Sequence, residues 1–341
     1  KKINKSRITL KTMTKAKSLF ISKKNPCLII AEIGSNHGGS FEKAKLLAKQ
    51  ALEAGADFVK FQIISASSIV NKELDYKRFQ HFKKLELTKR QFFDLYKLCN
   101  KIHKGSFLAS IWDINLFDWY NKLVDMHKVG SGDLTNFPML ELMVKSKKPI
   151  IISTGASNLK LIKKSLDFIY SIDPDYKIKK KIAILQCTAL YPSKFSEINL
   201  RAIQTIKQTF KVTTGFSDHT IGAMASETAF TIGAEIIEKH FTNTKNNKLF
   251  RDHQLSFNKG DLKKFISKLN KINELLGSSL KDFCKREIAN RKITGKYILK
   301  ALMEYQTWYG IHILFCDNAK NAQKVTESIF KRLNTMFHEQ T

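Results

Sequence analysis

Three polar residues of this sequence are of types that bind divalent metal ions. Glu32, His219 and His240 each lie at the end of a short segment rich in β-branched and apolar residues. Two imidazoles and a carboxylate form a suitable ligand set for a divalent cation that keeps open coordination positions. If these segments are neighbouring strands, the three side chains are expected to converge on one point.

A second set of residues suits the binding of an anion. Lys60 and Lys128 lie in two further β-rich segments, and serines end several others: Ser110, Ser131, Ser153 and Ser217. Lysine ammonium groups surrounded by hydroxyls suit phosphate and carboxylate groups. A Schiff-base enzyme could also use a lysine in such a place, but two lysines with a ring of hydroxyls favour anion binding.

Eight strands would position these residues. The predicted strands are Cys27–Gly34, Phe58–Ile63, Ser106–Trp112, Met126–Ser131, Pro149–Gly155, Lys181–Thr188, Lys211–Ser217 and Glu235–Thr242. Helical periodicity between and after them predicts helices around Ala44–Leu52 and over Arg90–Lys104, Asn115–Leu123, Pro138–Lys145, Asn158–Ile172, Leu200–Phe210, Gly222–Ile232 and Lys259–Leu276. This alternation favours an α/β fold, a (β/α)8 TIM barrel, with chemistry at the carboxyl ends of the strands. Neither a Gly-x-Gly-x-x-Gly motif after the first strand nor a Walker motif occurs, which argues against nucleotide-cofactor folds.

The sequence divides into three parts. Residues 1–26 contain nine Lys or Arg and no acid, and the segments Arg7–Leu10 and Leu19–Ser22 predict a short hairpin that closes the bottom of the barrel. Residues 27–290 form the barrel domain. Residues 296–341 form a short α/β C-terminal extension, with a strand at Gly310–Cys316 and a helix at Asn318–Phe337.

Composition limits the kinds of partner. Lys and Arg total 59 against 30 acids, a net charge of +29. The lysines are spread over nearly every polar segment, so we expect no specific nucleic-acid site. No apolar run approaches the roughly 18 residues of a membrane span, and five widely spaced cysteines suggest free thiols. We therefore expect a soluble, cytoplasmic protein.

Several ordered motifs resemble the N-acetylneuraminate (sialic acid) synthase family. They are AEIGSNHG at 31–38, AGADFVKFQ at 54–62, KVGSGDLTN at 128–136, ISTG at 152–155, CTALYP at 187–192, GFSDHT at 215–220 and EKHFT at 238–242. The resemblance covers about residues 25–275. It implies a transferase that condenses phosphoenolpyruvate with an open-chain N-acyl hexosamine, with Mn²⁺ or Mg²⁺ as cofactor.

The resemblance also implies a role for each site residue. His219 and His240 would be the metal ligands, and Glu32 would act on the reacting centre as an acid or base. The residues that would hold phosphoenolpyruvate are Lys60, Ser110, Lys128, Ser131, Ser153 and Ser217. Those that would face the sugar are Gln62, Asp133, Tyr191 and Asp252.

The sequence departs from the family pattern in two places. Residues 293–341 do not resemble the antifreeze-like domain that the family carries after the barrel, on which its homodimer depends. The Gly-Pro that usually precedes Asp252 is absent from KLFRDH at 248–253. Three alternatives stay open: a pseudaminic or legionaminic acid synthase, another phosphoenolpyruvate-dependent aldol enzyme, and a catalytically impaired barrel that acts as a basic binding protein.

Overall fold

The computed structural model describes residues 20–22, 24–245 and 251–288, together with helical residues at 324, 327, 328 and 331. The chain divides into two compact units, Lys1–Gly277 and Ser278–Thr341. Arg7–Leu10, Gly310–Cys316 and most of Asn318–Phe337 lie outside the described residues, so the strands and helix predicted there stay predictions. Within the described part of the chain, no helix has the length and apolar character needed to cross a membrane.

The first unit contains eight parallel strands that form a nearly closed barrel. They are β1 (Leu28–Gly34), β2 (Phe58–Ile63), β3 (Phe107–Ile111), β4 (His127–Val129), β5 (Ile150–Ser153), β6 (Ile182–Cys187), β7 (Thr213–Asp218) and β8 (Ile236–His240). Hydrogen-bonded neighbours follow the order β3-β2-β1-β8-β7-β6-β5-β4, and β3 lies beside β4. The predicted (β/α)8 barrel is therefore confirmed.

Helices flank the strands on the outside. They are α1 (Phe41–Glu53), α2 (Ala66–Ile69), α3 (Tyr76–Leu85), α4 (Lys89–Ile102), α5 (Phe117–Asn121), α6 (Phe137–Lys145), α7 (Leu159–Ile172), α8 (Asp175–Ile178), α9 (Ala202–Phe210), α10 (Met224–Thr231), α11 (Asp252–Leu255) and α12 (Lys259–Leu276). Side chains cap several of these helices at the N-terminus, as Ser40 does for α1 and Thr88 for α4. These capping side chains thus determine the residues at which the outer helices begin.

Two predicted elements differ from the structure. The helix expected at Asn115–Leu123 is a 3-10 turn at Ile114–Leu116 followed by the short α5, because the Asp113 side chain caps the turn through the Asn115 amide. Strand β7 begins at Thr213, after Lys211 ends α9 in the left-handed conformation with φ +56°. Short helices were also missed, as with α2 and α3, because four to ten residues carry little periodicity.

Two apolar clusters support the barrel. The larger one packs the sheet against the helices, whereas the smaller one fills the barrel interior with side chains from Leu28, Ile30, Leu108, Met126, Ile151, Ala183, Leu185 and Ile236. Phe20, which precedes β1, is buried in this inner cluster. The lower barrel is thus a packed core, and polar side chains are left for its upper end.

The register of the strands brings the polar residues together. Glu32 on β1 pairs with Lys60 on β2 and with His240 on β8. Ser217 on β7 pairs with Glu238 on β8. These two strands approach closely at Gly215, where a Cβ atom would lie 2.3 Å from the Ile236 carbonyl oxygen. A side chain at position 215 would therefore push apart the two strands that carry the histidines.

His127 anchors β4 on the outer side of the barrel. Its Nδ1 lies 3.2 Å from the Tyr120 hydroxyl and its Nε2 lies 2.7 Å from Ser146 Oγ. Burial, with a smaller contribution from Lys148, lowers the pKa of His127 to about 3. The folded protein therefore keeps this imidazole neutral, next in sequence to Lys128.

We predict that His127 makes the fold sensitive to mild acid. Its pKa is lower in the folded than in the unfolded chain, so its stabilising contribution is present above about pH 6.5 and is lost as pH falls. Between pH 7 and pH 5 this one group should remove about 2 kcal/mol from the free energy of unfolding. Urea denaturation at both pH values should show a smaller decrease for His127→Gln than for wild type, and the exposed His81→Gln is the control. An equal decrease in all three proteins would contradict this prediction.

Candidate active site

Four charged side chains are buried together at the carboxyl end of the barrel. Lys60 Nζ lies 2.8 Å from Glu32 Oε2 and 3.7 Å from Glu238 Oε1. Lys128 Nζ lies 3.6 Å from the same Glu238 oxygen. All four side chains are at most 7% exposed. We call Glu32, Lys60, Lys128 and Glu238 the charge quartet.

Hydroxyl and amide groups surround the charge quartet. Lys128 donates to Ser153 Oγ at 2.7 Å, and Lys60 donates to Ser110 Oγ at 3.4 Å. Ser217 Oγ donates to Glu238 Oε1 at 3.2 Å, and Gln62 Nε2 donates to Glu32 Oε1 at 2.9 Å. The structure thus joins seven of the predicted site residues in one network: Glu32, Lys60, Gln62, Ser110, Lys128, Ser153 and Ser217.

The charge quartet shifts the pKa of each of its members. Burial raises the pKa of Glu32, and the charge of Glu238 raises it further. Lys60 acts in the opposite direction but does not outweigh them. For Glu238 burial acts in the same direction, but Lys128 and Lys60 outweigh it and lower the pKa. Burial lowers the pKa of Lys128, whereas Glu238 and Glu32 overcome burial and raise that of Lys60. Glu32 is therefore the carboxyl of the quartet that holds a proton more readily.

Glu238 is a site residue that sequence analysis missed. It lies two positions before His240 on β8, so strand alternation places both side chains on the same face. A glutamate inside a fully buried strand was the available signal, since burying a charge is costly unless it is paired. In the described part of the chain its Oε2 has no hydrogen-bond partner.

His219 presents one ring nitrogen to the site. Its Nδ1 lies 2.7 Å from the Thr188 carbonyl oxygen. Because a carbonyl oxygen only accepts, Nδ1 carries the hydrogen and donates it, which leaves Nε2 as the lone-pair nitrogen of the neutral ring. A backbone carbonyl that fixes the tautomer in this way is typical of histidines that bind metal ions.

His240 lies beside His219, with 5.5 Å between the ring centroids. Burial, together with the His219 charge, holds the pKa of His240 well below its usual value, so its ring is neutral. Its buried Nδ1 has no hydrogen-bond partner among the described residues, and Asp252 Oδ2 lies 3.7 Å away. Two adjacent imidazoles, one of them with a buried nitrogen that has no hydrogen-bond partner among the described residues, fit the binding of a divalent cation.

Glu32 does not join the two histidines as expected from the sequence. Its carboxylate contacts Lys60 and Gln62, on the β2 side of β1. Among residues 20–22, 24–245 and 251–288, no group of three or more His, Cys, Asp or Glu side chains is placed to hold a metal ion. The predicted convergence of Glu32, His219 and His240 is therefore wrong, because an ammonium group on the neighbouring strand attracts the carboxylate first.

Aromatic stacking connects the imidazole pair to the outside of the barrel. The Tyr191 ring lies 4.0 Å from that of His219 and 5.9 Å from that of His240. On Tyr191, in turn, stacks the guanidinium of Arg251, 4.8 Å from the ring centroid. Asp252 is buried next to this stack, and burial raises its pKa. Tyr191 and Asp252 thus border the imidazole pair.

Two predicted residues lie in the 3-10 turn after β4. Ser131 Oγ accepts a hydrogen bond from the Gly155 amide at 2.9 Å. Asp133 accepts from Asn136 Nδ2 at 3.1 Å, and burial raises its pKa. Neither side chain makes a hydrogen bond to the charge quartet among the bonds described.

Comparisons with known proteins identify relatives of this chain. The model of the NeuB family matches residues 47–281. The N,N'-diacetyllegionaminic acid synthase of Campylobacter jejuni is 35% identical over 288 residues, covering 80% of this chain and 84% of its own. The human N-acetylneuraminate-9-phosphate synthase is 30% identical over 294 residues, covering 82% and 79%.

A solved structure shows the same fold. The N-acetylneuraminic acid (sialic acid) synthetase of Leptospira borgpetersenii, in complex with citrate, superposes with a TM-score of 0.71 at 29% identity. The match covers 78% of this chain and 92% of that one. Because the family model spans well over half of the sequence and relatives above 30% identity span four fifths of it, this chain belongs to the NeuB family of sialic and nonulosonic acid synthases.

Proposed function

We propose that this protein condenses phosphoenolpyruvate with an open-chain N-acyl hexosamine to give a nonulosonic acid and inorganic phosphate. The observation that carries the proposal is the charge quartet. In it two buried ammonium groups, each bonded to a hydroxyl, lie near a pair of adjacent imidazoles. An anion site that adjoins a candidate metal site is what this reaction requires.

Lys60 and Lys128 would bind the phosphate and carboxylate groups of phosphoenolpyruvate. Charge-assisted hydrogen bonds to ionised oxygens are about twice as strong as neutral ones. In the free protein, Glu238 supplies a negative charge to both lysines. Ser110, Ser153 and Ser217 already donate to or accept from the charge quartet, so they can turn their hydroxyls to the bound anion.

His219 and His240 would hold a divalent cation, Mn²⁺ or Mg²⁺. When bound, this ion acts as a Lewis acid on the aldehyde oxygen of the acceptor. The Thr188 carbonyl keeps the His219 ring in the required tautomer. Tyr191 covers one face of that ring and keeps water from it.

Glu32 would transfer a proton at the reacting centre. Its raised pKa suits a carboxyl that gives a proton in one step and accepts one in another. The new carbon–carbon bond joins the methylene carbon of phosphoenolpyruvate to the aldehyde carbon. Water then adds to the former enol carbon, and the bond between that carbon and the phosphate oxygen breaks, so that phosphate leaves.

The acceptor would lie against the outer part of the site. Gln62 is within reach through its bond to Glu32, and Tyr191 and Asp252 border the imidazole pair. Asp133 follows β4 on the same rim. Relatives named for N,N'-diacetyllegionaminic acid and for N-acetylneuraminate-9-phosphate support an acceptor of the N-acyl hexosamine class.

We predict turnover that needs both substrates. Incubation with Mn²⁺, phosphoenolpyruvate and a panel of N-acyl hexosamines should release phosphate and form a 2-keto acid in equal amounts. Each acceptor is then omitted from the panel in turn, and the preferred one is that whose omission lowers the release of phosphate most. Release of phosphate without any acceptor, or no release with the whole panel, would contradict the proposed reaction.

We also predict that activity depends on the metal ion held by the histidine pair. A chelator should abolish turnover and Mn²⁺ should restore it. His219→Ala and His240→Ala should each lose Mn²⁺ binding and turnover together, because each removes one of two imidazole ligands. His103→Ala, at an exposed position, should behave like wild type. Full activity in the chelated protein would rule out this role for the histidines.

For the anion site we predict a specific effect of Lys128→Met. The variant loses charge-assisted hydrogen bonds, worth about 1.5–3 kcal/mol each, so phosphoenolpyruvate should bind about tenfold to a hundredfold more weakly. Lys163→Met removes an exposed lysine of α7 and is the control. Titration calorimetry on both folded variants provides the measurement.

The two lysines of the charge quartet have an alternative role that can be tested. If borohydride traps a substrate on Lys60 or Lys128, the site works through a Schiff base and the anion-binding role is wrong.

A further inference from the structure

Behind the two histidines, on the outer face of the same strands, lies a second buried ion pair. Asp218 on β7 and Lys239 on β8 are directly paired in the sheet, and Lys239 Nζ lies 3.0 Å from Asp218 Oδ2. Their side chains are 0% and 3% exposed. None of the steps proposed for the reaction uses either residue.

Strand alternation explains why this pair faces away from the site. Ser217 and Glu238, which contact each other, point into the barrel. The residues that follow them, Asp218 and Lys239, therefore point outward. Each member of the pair is next in sequence to one of the two histidines, His219 or His240.

The ion pair also closes a loop around His219. Asp218 Oδ1 accepts a hydrogen bond from the Thr220 amide at 2.7 Å, and Lys239 Nζ donates to the Thr220 carbonyl oxygen at 2.6 Å. Asp218 Oδ2 accepts a further bond from Ser226 Oγ of α10 at 2.6 Å. Both sides of the His219 backbone are thus tied to the strand that carries His240.

We propose that Asp218 and Lys239 are positioning residues, which fix the separation of the His219 and His240 rings and thereby set the affinity of the site for a divalent cation. This inference rests on the proposed metal site. Two ligands on separate strands bind an ion well only if their relative position is held within about 0.5 Å. A cross-strand ion pair that also bonds the backbone beyond His219 supplies that constraint.

A purely structural role would give a different result. Replacing both partners of a buried ion pair with uncharged groups is often neutral for stability, whereas removing one leaves an unpaired charge. The double variant Asp218→Asn with Lys239→Met should therefore fold. Its effect on Mn²⁺ binding then reports on the position of the histidines and not on the stability of the barrel.

The chain offers a matched control near the start of β8. Lys207 of α9 and Glu235, which immediately precedes β8, form an ion pair at 2.9 Å. This pair is at the opposite end of β8 from His240, and its side chains are 50% and 39% exposed. The double variant Lys207→Met with Glu235→Gln removes the same two charges without changing the surroundings of the histidines.

The test measures Mn²⁺ binding to the full-length protein by electron paramagnetic resonance of the free ion. We expect the Asp218→Asn, Lys239→Met variant to bind Mn²⁺ about tenfold more weakly than wild type, the smaller of the effects known for residues that support metal ligands. The control variant should match wild type. Phosphoenolpyruvate binding without metal should be the same in all three.

Three outcomes would overturn the inference. An unchanged Mn²⁺ dissociation constant in the folded double variant shows that the pair only stabilises the barrel. No Mn²⁺ binding by wild type rejects the proposed metal site, and the inference with it. If the double variant does not fold, the test uses Ser226→Ala, which removes only the hydroxyl donor to Asp218. We expect this variant to bind Mn²⁺ about threefold more weakly. An affinity within error of wild type contradicts the proposal.

Discussion

Everything at the upper end of this barrel depends on the cost of burying charge. Lys60 and Lys128 are removed from water and share one oxygen of Glu238, because an ammonium group without a counter-charge would not remain buried in its ionised form. This requirement determines where Glu32 points, and it leaves the two imidazoles as a separate pair. The result is a site with paired charges on one side and, on the other, two histidines of which His240 has a ring nitrogen without a partner among the described residues.

Apolar side chains fill the lower half of the barrel and stabilise the fold, and the polar side chains lie at the upper rim. Strands contribute one or two polar side chains to the upper rim, and the sheet register determines which of these side chains lie in contact. Glu32 lies opposite both Lys60 and His240 in neighbouring strands. The Glu32 carboxylate could therefore turn toward either residue, and it contacts Lys60 because the ammonium group carries the opposite charge.

The sequence predicted the barrel, seven of the residues that the structure joins in one network, and the pair of adjacent histidines, because the carboxyl ends of barrel strands meet at one rim. Lys259–Leu276 was predicted to the residue, since a long amphipathic helix with a capping box has clear limits. Two features of the site were not predicted. The direction of the Glu32 side chain depends on a competition between neighbouring strands, which the sequence does not show. Glu238 was missed, although a glutamate within a fully buried strand was a signal for it.

The central claim is that the charge quartet binds the phosphate-bearing substrate. Its most direct test is a crystal structure of the protein soaked with phosphoenolpyruvate. The account predicts that oxygens of the ligand lie about 2.7–2.9 Å from both Lys60 Nζ and Lys128 Nζ, the usual length for charge-assisted bonds, and that Glu238 has moved away from at least one of them. Phosphoenolpyruvate bound elsewhere, with both lysines still paired to Glu238, would contradict it.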